Sequence, residues 1–566
     1  MSKNFTFSQT PIIKRSRSKF DLSCKRLTSG NMGKLIPFYV QEVVAGDTFK
    51  LTANCVVRTS SPLIRPVMDN LFLDTYFFYV PYRLLYDKWV NIFGENTQSA
   101  WANTQEYSVP VLPTSSTTVR TPTSGSVADY LGLPLMAIPN GVDVSVLPFR
   151  GFAKIWDEWF RDQNNVQPMH IQTGETVASE GLNSSDWSPN NYTGKLPNVA
   201  KFHDYFTSCL PSPQKGSAVE IGAWNTAVDV PVYTGSNIND TTGWNNLLWN
   251  GSRGLEGNTR YAIGVNNYRS GPSTTANYTC LLSPDSGTYF SDSIYPANLF
   301  AQTSDLTATA VSVNDLRLAF QMQKMLERDA RGGTRYCEYL LSHFGVSAGD
   351  ARLQRSEFLG GKRTPLNISQ VTQTAPADVG NEMTGVGDLS ATSLTFARAR
   401  STKGFVEPGL VFGVACIRQF HTYQQGVERF WTRKKRTDFY DPVFANIGEQ
   451  PVYRSELYAT AVTDDGLQQP FGYGEAWADM RYRPNQVTGQ MRSGVTNSLD
   501  VWHLADNYLN APTLSAGFIE ETPKYLDRVL TVESGTQDQF ILDFYVQNIA
   551  YRPLPTYSIP SLIDHN

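Results

Sequence analysis

Basic residues crowd the first 34 positions of the 566-residue chain. This segment holds eight Lys and Arg residues against the single acid Asp21, a charge of +7 that leaves −11 for the rest, since the chain carries −4 in total. Four of the cations fall within KRSRSK, at positions 14–19. Such clusters bind phosphate and do not pack into an apolar core, although a solvated tail has the same composition. We predict contacts with nucleic acid for Lys14, Arg15, Arg17, Lys19, Lys25 and Arg26.

A second basic stretch, VERFWTRKKRTDFY at 427–440, interleaves cations with aromatic residues. Aromatic rings stack on unpaired bases while cations pair with phosphates, so this composition suits single-stranded nucleic acid. A charged strand or loop at a contact between subunits explains it equally well. The candidates for DNA contact here are Arg433, Lys434, Lys435 and Arg436.

Catalytic and metal-binding motifs are incomplete in this sequence. Gly345–Gly349 has the form GxSxG, but a nucleophile elbow needs a strand before its serine, and the pattern here predicts a helix. Gly360–Thr364 resembles the end of a phosphate loop, but Ser356 stands where the first glycine should be. The six cysteines form no CxxC pair and the six histidines no HExxH motif, which favours buried free thiols. We therefore predict no catalytic residue, no metal site and no cofactor.

Positions 231–300 differ in composition from the rest of the chain. They hold ten Asn and eight Gly but only seven charged residues, with Trp and Tyr scattered among them. Recognition loops use the same residue types. We predict an ordered surface insertion that contacts a receptor or a glycan; the alternative is a turn-rich β insertion that only builds structure. The candidates for receptor contact are Trp244, Trp249, Tyr261, Tyr268 and Tyr278.

The elements that must position these residues are organised around one strand. Leu71–Val80 is almost wholly apolar and too short to cross a membrane, which predicts a strand buried on both faces. Pro81 ends it, because proline has no N–H for a sheet but is tolerated in the first turn of a helix. Apolar residues then recur at helical spacing up to Gly94. We predict a large sheet core with a helix at its rim.

Similar patterns predict the other elements. Leu35–Val57 should form two strands joined by a tight turn, an outer hairpin whose second strand points Phe49, Leu51 and Ala53 to one side. The remaining predicted elements are a buried strand at Leu410–Ile417 and helices at Phe152–Arg161, Ser312–Gly333 and Tyr336–Phe344.

The overall composition is also that of a β protein. Aromatic residues reach 12% and charged residues only 18%, with 42 Gly and 32 Pro, which is typical of many short strands joined by structured loops. No apolar run approaches the ~18 residues of a membrane span, and the first residues lack the apolar core of a signal peptide. We expect a soluble protein that is made in a cytoplasm and is used there or released by lysis.

Four long stretches, in the expected order along the chain, resemble the major capsid proteins of the Microviridae. These are small icosahedral single-stranded DNA bacteriophages, and the similarity is to their gokushovirus branch. The stretches are the opening strand and helix with PYRLLYDKW, and then His421–Val452, Phe471–Ser493 and Tyr557–Asn566.

The resemblance implies a mainly β fold, an eight-stranded antiparallel viral jelly roll with long loop insertions and a few helices. Sixty copies would form a T=1 shell, assembled in the bacterial host cytoplasm and found in the virion. The implied partners are other copies of the chain, the single-stranded DNA genome, an internal scaffolding protein, a small basic DNA-packaging protein, a DNA pilot protein and a host surface receptor. The implied divisions are a basic arm at 1–34, jelly roll at 35–208, a variable insertion that protrudes at the threefold axes at 209–300, and the remaining jelly roll with a C-terminal arm at 301–566.

Two other functions deserve comparison with a coat protein. A carbohydrate-binding or carbohydrate-active β-sandwich protein would use the Trp and Tyr of the insertion, but an enzyme of this kind needs two carboxylates about 5 to 10 Å apart on one face. A monomeric nucleic-acid-binding protein needs basic residues spread over a binding face, whereas the chain beyond residue 34 carries −11.

Overall fold

The structure of the protein is a computed structural model. It describes residues 16–93, 95, 106–112, 121–139, 141–169, 171–175, 191–217, 219, 313–333, 335–379, 382–384, 386–459 and 469–557, and the backbone alone of short strands between 232 and 301. The chain divides into two compact units, Met1–Gly216 with Leu326–Asn566, and Ser217–Met325.

Two antiparallel sheets form the larger unit. The first follows the order β1-β23-β4-β17-β14, with β2 also paired to β23. Its strands are β1 (Ser18–Asp21), β2 (Cys24–Gly30), β4 (Thr48–Thr59), β14 (Ile368–Thr372), β17 (Leu389–Gly404) and β23 (Phe540–Arg552). The second follows the order β13-β5-β18-β3. Its strands are β3 (Ile36–Val43), β5 (Leu71–Pro81), β13 (Glu357–Pro365) and β18 (Gly409–Gln419).

The connectivity of eight of these strands defines the fold. If β1 and β14 are set aside and the others are counted from one to eight along the chain, the sheet orders are 1-8-3-6 and 2-7-4-5. Consecutive strands thus change sheets, except the fourth and fifth, β5 and β13, which pair within the second sheet. This order distinguishes a jelly roll from a meander. The predicted fold class, a mainly β antiparallel sandwich, is confirmed.

The space between the two sheets is filled by aromatic and aliphatic side chains. Phe38 of β3 stacks on Phe544 of β23 with ring centroids 4.1 Å apart, and its edge meets Phe77 of β5 at 5.9 Å. A buried hydrogen bond crosses the same space from the Asn548 side-chain amide to the Tyr39 hydroxyl, at 2.8 Å. These contacts join β3 to β23, which belong to opposite sheets, so one core holds the sandwich together.

The predicted hairpin at Leu35–Val57 is wrong, although both of its strands exist. β3 pairs with β18 and β4 pairs with β17 and β23, so the two strands lie in opposite sheets. Buried Asp47 holds the corner between them, because its carboxylate accepts a hydrogen bond from the Val44 N–H at 2.9 Å and pairs with Arg552 at 3.1 Å. The inward side of β4, with Phe49, Leu51 and Ala53, is buried as predicted.

The central strand is confirmed as β5, but the helix after it is shorter than predicted. A 3-10 turn covers Tyr82–Leu84, and the α-helix α1 covers only Trp89–Ile92. The chain leaves helical geometry because other segments bind its backbone: the Arg150 guanidinium donates to the Leu85 carbonyl at 3.0 Å, and the Asp87 N–H donates to the Thr173 carbonyl. Gly94, the predicted helix end, lies outside the described residues.

The larger unit also contains helices and short two-stranded sheets. The α-helices are α2 (Val127–Leu131), α3 (Leu147–Ile155), α4 (Val313–Gly332), α5 (Tyr336–Phe344), α6 (Arg454–Leu457), α7 (Ala478–Arg481), α8 (Ala516–Ile519) and α9 (Lys524–Asp527). A π-helical turn at Trp156–Phe160 extends α3, and 3-10 turns cover Arg429–Thr432, Arg436–Asp438, Pro442–Phe444, Gly489–Met491 and Asp500–Trp502. The short strands are β15 (Ala377–Val379), β16 (Glu382–Thr384), β19 (Thr422–Tyr423), β20 (Glu449–Tyr453), β21 (Pro470–Glu475) and β22 (Asn485–Gln486).

The two helices predicted after residue 300 agree closely with these bounds, whereas the helix predicted at Phe152–Arg161 begins earlier, at Leu147, and ends as the π-helical turn at Phe160. α5 has the predicted limits, and Gly345 caps it in the left-handed region with φ 68°. α4 ends before Gly333, which also has a positive φ, while Ser312 at its predicted start lies outside the described residues. In the part of the chain that the structure describes, every helix is too short or too polar to span a bilayer.

Helix α3 packs closely on the sheet, and this contact gives a test of the fold. A Cβ added at Gly151 would lie 2.8 Å from the buried Phe412 ring of β18, whereas one added at Gly517 in α8 would meet nothing within 4 Å. We expect Gly151→Ala to lower the free energy of unfolding by about 1 kcal/mol, since overpacking outweighs the gain in helix propensity. Gly517→Ala should be neutral or stabilising. Urea unfolding of purified subunits measures both, and equal effects would contradict the packing of α3.

The smaller unit contains short antiparallel strands, described by their backbone alone. They are β6 (Val232–Thr234), β7 (Leu248–Gly251), β8 (Tyr261–Ala262), β9 (Val265–Tyr268), β10 (Tyr278–Leu281), β11 (Ile294–Pro296) and β12 (Leu299–Ala301). They pair as β11-β7-β8, β10-β9 and β12-β6. The unit therefore builds its own local sheets.

Candidate nucleic-acid and assembly surfaces

The structure describes four of the six N-terminal candidates, which lie in or next to the first sheet. Lys14 and Arg15 lie outside the described residues. Arg17 donates to the Thr48 hydroxyl at 3.3 Å, and Lys19 is exposed in β1 opposite Tyr551 of β23. Part of the predicted basic arm is therefore ordered against the C-terminal strand.

The last two N-terminal candidates have different environments in β2. Lys25 is exposed and pairs with Asp543 of β23 at 3.0 Å. Arg26 is partly buried and donates to the Tyr130 carbonyl, and its burial lowers the pKa of the guanidinium. Of the two, only Lys25 presents its charge on an open surface.

The second basic stretch forms 3-10 turns rather than a strand. Arg433 is largely buried in an ion pair with Asp479 of α7. Asp438 accepts hydrogen bonds from the N–H groups of Lys434 and Lys435, at 3.0 and 2.8 Å, and these bonds lower the pKa of its carboxyl. The turn leaves the side chains of Lys434, Lys435 and Arg436 exposed. The structure thus separates Arg433, which stabilises the fold, from three cations that can meet a partner.

Large apolar side chains surround these three cations. Trp431 is 72% exposed and Val443 is 83% exposed, and both belong to 3-10 turns of this segment. The other exposed apolar residues of this segment are Val427, Phe430, Phe439, Tyr440 and Ile447. We call the segment 427–447 the aromatic-basic surface. Several large apolar side chains that are exposed within one segment usually mark a protein contact.

The two enzyme-like motifs have no catalytic geometry. Ser347 lies in a loop after α5, with no strand before it, so it is not a nucleophile elbow. Gly360–Thr364 lies within β13 and pairs with β5, so its N–H groups do not form a phosphate loop. Both motifs are therefore parts of the fold's framework in this structure.

The cysteines follow the predicted burial only in part. Cys55, Cys209 and Cys416 are buried free thiols, and burial raises the pKa of Cys416 to about 12. Cys24 is exposed and Cys337 is half-buried, so the prediction of buried thiols is wrong for these two. Cys24 lies at the start of β2, on the outer edge of the first sheet.

The receptor candidates lie in the smaller unit. Trp244 is outside the described residues, whereas the backbones of the other four belong to paired strands. Trp249 of β7 is the register partner of Tyr261 in β8, and Tyr278 of β10 is the partner of Tyr268 in β9. The backbone therefore brings the candidates together in two pairs, and receptor contact stays a prediction.

A buried cluster of charged residues joins segments that are far apart in the sequence, and the sequence did not predict it. His421, at 0% side-chain exposure, lies between Asp506 at 2.7 Å and Glu521 at 3.2 Å, and the Lys201 ammonium is 3.5 Å from Asp506. Burial opposes protonation of His421, but the negative charges of Asp506 and Glu521 outweigh it and raise the pKa of the imidazole to about 9. For Asp506, burial acts in the opposite sense, but His421 and Lys201 hold the pKa of the carboxyl below its usual value. Two cations and two anions therefore balance in the interior.

A second buried carboxylate joins strands of the second sheet. Asp74 of β5 is fully buried between Arg363 of β13, at 2.8 Å, and Arg418 of β18. Both guanidinium groups also lie over the Phe202 ring, at 4.0 and 4.2 Å from its centroid. Nothing in the sequence links these residues, which lie up to 344 positions apart. The cluster fixes neighbouring strands and presents no reactive group.

Comparison with known proteins identifies the family that has this fold. The family described as "Capsid protein (F protein)" matches residues 8–562. The chain is 38% identical to capsid protein VP1 of Spiroplasma virus 4 over 96% of this chain and 95% of that protein. It is 36% identical to capsid protein VP1 of Chlamydia phage 1, and 34% identical to that of Bdellovibrio phage phiMH2K, each covering 98% of this chain and 97% of the relative.

These similarities confirm the resemblance to gokushovirus major capsid proteins and exclude the enzyme alternative. The protein is a structural component of a virion that assembles with copies of itself. The jelly roll, the exposed apolar surface and the match along nearly the whole sequence lead to one conclusion: the chain belongs to the phage capsid protein family of F proteins.

Proposed function

We propose that sixty copies of this chain form a closed T=1 icosahedral shell around a circular single-stranded DNA genome. The observation that carries the proposal is the pairing of a rigid jelly roll with a large exposed apolar surface, the aromatic-basic surface, on the same unit. Identical subunits that bury such surfaces in identical environments close with point-group symmetry, and sixty is the number for an icosahedron. Several weak contacts per subunit then give a stable particle.

The aromatic-basic surface supplies a contact between subunits in this proposal. Val443 and Ile447 are aliphatic and do not stack on bases, whereas they pack well in the centre of a protein interface. Lys434, Lys435 and Arg436 would form its polar rim. The competing role, DNA contact by these three cations, predicts normal shells that hold less DNA when the cations are replaced by Gln.

The N-terminal cations are proposed to face the genome. With +7 per chain, sixty arms bring roughly 420 positive charges, about a tenth of the phosphates of a several-kilobase genome. The remaining charge requires other cations, so we propose a small basic DNA-packaging protein as a partner. An internal scaffolding protein and a DNA pilot protein complete the proposed set of assembly partners.

The smaller unit is proposed as the surface that contacts the host receptor, as the threefold protrusion of the shell. The two cross-strand pairs of Trp and Tyr support this role, since rigid aromatic side chains are common in recognition surfaces. Trp249→Ala should lower attachment of particles to host cells without changing their yield. Attachment at the wild-type level would contradict a role for Trp249.

Removal of positive charge near the N-terminus tests the proposal that these cations face the genome. Replacing Lys14 and Arg15 by Gln leaves β1 intact, whereas deleting residues 1–19 would also remove half of that strand. We expect the double variant to form shells at the normal yield but to protect less DNA, with a weaker dependence on salt, because each lost phosphate contact removes ~0.7 from the salt slope. The ratio of absorbance at 260 and 280 nm of nuclease-treated particles measures DNA content. Unchanged content and salt sensitivity would exclude a packaging role.

A further inference from the structure

The outer side of the first sheet carries a regular set of exposed residues that the proposed function has not used. Residues of β17 alternate between buried and exposed from Ala391 to Thr402, so every second side chain faces away from the core. The exposed positions are Thr392, Leu394, Phe396, Arg398, Arg400 and Thr402. Because β4 and β23 alternate in the same way, the three strands present one continuous outer face.

The strand register places these exposed residues in rows across the sheet. One row runs from Arg398 of β17 through Asn54 of β4 and Tyr545 of β23 to Lys25 of β2. The row on one side of it contains Phe396, Val56, Asp543 and Leu27, and the row on the other side contains Arg400, Thr52 and Gln547. Rows repeat about every 6.8 Å along a strand, with ~4.8 Å between strands. The face thus combines cations, amides and aromatic rings at short range.

Most of the positive charge on this face is uncompensated. Lys25 pairs with Asp543 at 3.0 Å, but Arg58, Arg398 and Arg400 are exposed and have no carboxylate partner within the described ranges. The Lys50 ammonium likewise has no acidic partner in the described part of the chain and lies 5.5 Å from the Tyr551 ring centroid. Within the described residues, these three arginines thus concentrate positive charge on one face of one sheet, in a chain whose residues beyond the arm carry −11. A surface of this kind attracts polyanions.

Aromatic rings stand beside these cations and are open to solvent. Phe396 is 72% exposed and Tyr545 is 47% exposed. Tyr545 lies in a strand that is paired on both sides, and Phe396 lies in the part of β17 that pairs with β4. A sheet face that offers flat aromatic rings next to arginines is the arrangement by which single strands of nucleic acid are held without sequence preference. A duplex hides its bases from such rings and would use only the cations.

We propose that this outer face of the first sheet binds the single-stranded DNA inside the shell, with bases stacked on Phe396 and Tyr545 and phosphates paired with Arg58, Arg398 and Arg400. The assignment rests on the proposed function, because it requires a shell that encloses single-stranded DNA. It also orients the subunit, since the first sheet then faces the interior. Lys25 of the N-terminal candidates belongs to the same surface, so DNA would run from the arm onto the sheet.

Two protein partners would match the charge of this face less well than DNA does. A second copy of the chain, or an acidic segment of an internal scaffolding protein, would need a carboxylate-rich surface to match these three arginines. Both would place the face against protein, and the experiment below separates them from DNA.

Ultraviolet cross-linking of purified wild-type particles tests the assignment without any variant. Irradiation at 254 nm, followed by nuclease and protease digestion and mass spectrometry, should yield nucleotide adducts on the peptides that contain Phe396 and Tyr545. Particles that protect DNA but give adducts only elsewhere would overturn the assignment and leave the shell intact. Absence of any DNA-containing particle would instead contradict the proposed function.

A charge variant supplies the quantitative test. We expect shells of the Arg398→Gln/Arg400→Gln double variant to form at wild-type yield but to release DNA at a lower salt concentration, with at least a twofold drop in protected DNA per shell, because two phosphate contacts per subunit are lost. The matched control is Arg352→Gln/Lys362→Gln, which removes two exposed cations from β13 of the second sheet and the turn before it. Equal DNA retention in both double variants would overturn the assignment, as would protection of the face by protein in DNA-filled particles.

Discussion

Asp506→Ala should prevent the subunit from folding stably. The change leaves His421 and the Lys201 ammonium as buried cations with only Glu521 to balance them, and it removes the acceptor of the Tyr508 hydroxyl at 2.7 Å. Breaking a buried ion pair by removing one partner costs about 3–5 kcal/mol, a large fraction of the stability of any domain. Urea unfolding of the purified subunit, or the yield of folded protein, measures the loss.

An exposed ion pair provides the matched control. Asp388 pairs with Arg65, but its side chain is half exposed, so Asp388→Ala should cost less than about 1 kcal/mol. A small effect of both substitutions would show that the buried cluster contributes little to stability.

The same cluster predicts a dependence of stability on pH. The pKa of His421 rises from an unfolded value of 6.5 to about 9 in the fold, so the folded state binds the proton more tightly. Its contribution is fully present below pH 6.5 and is lost as the pH rises through 9, on the order of 3 kcal/mol in all. We expect wild-type subunits to lose stability between pH 7 and 9 and the His421→Gln variant to lose less over this interval. Parallel curves for the two proteins would contradict the assignment.

Trp431→Ala should abolish assembly and leave the subunit folded. Trp431 is the most exposed aromatic side chain of the aromatic-basic surface, and its ring centroid lies 4.5 Å from that of Phe430. Buried Trp residues are frequent hot spots, where truncation costs 2 kcal/mol or more per contact. Because each subunit repeats the contact, the particle yield should fall more than tenfold at a fixed protein concentration.

The conservative variant Trp431→Phe serves as the control, because it keeps an aromatic ring and should restore most of the yield. Sedimentation measures the particles, and urea unfolding of the free subunit should show the same midpoint for all three proteins. Wild-type yield of shells from Trp431→Ala would exclude this surface as an essential contact between subunits.

Local patterns were sufficient to predict several elements of the fold. The apolar run of β18 and the end of α5 at Gly345 follow from short-range physics, namely burial and helix capping, and the structure has them where expected. The hairpin at Leu35–Val57 failed because a turn does not reveal whether the strands on either side pair with each other or with strands hundreds of residues away. Long-range pairing is decided by the whole core.

For the functional residues, too, local signals are visible in the sequence and long-range contacts are not. His421 and Asp506 lie 85 positions apart, so no spacing in the sequence could have revealed their contact. Phe396, Arg398 and Arg400 did carry a visible signal, an alternation of period two in LTFARAR. The charge of −11 beyond the arm concealed it, because a net charge averages an acidic body with one basic face.

The most direct test of the proposed shell is the mass of particles from cells that carry the complete phage genome. Nuclease-treated material should be analysed by sedimentation velocity and native mass measurement. Sixty chains of 63.1 kDa predict about 3.8 MDa of capsid protein in a fast-sedimenting particle that protects DNA. A slow species of 63.1 kDa, or a closed particle with a different number of copies, would contradict the proposal.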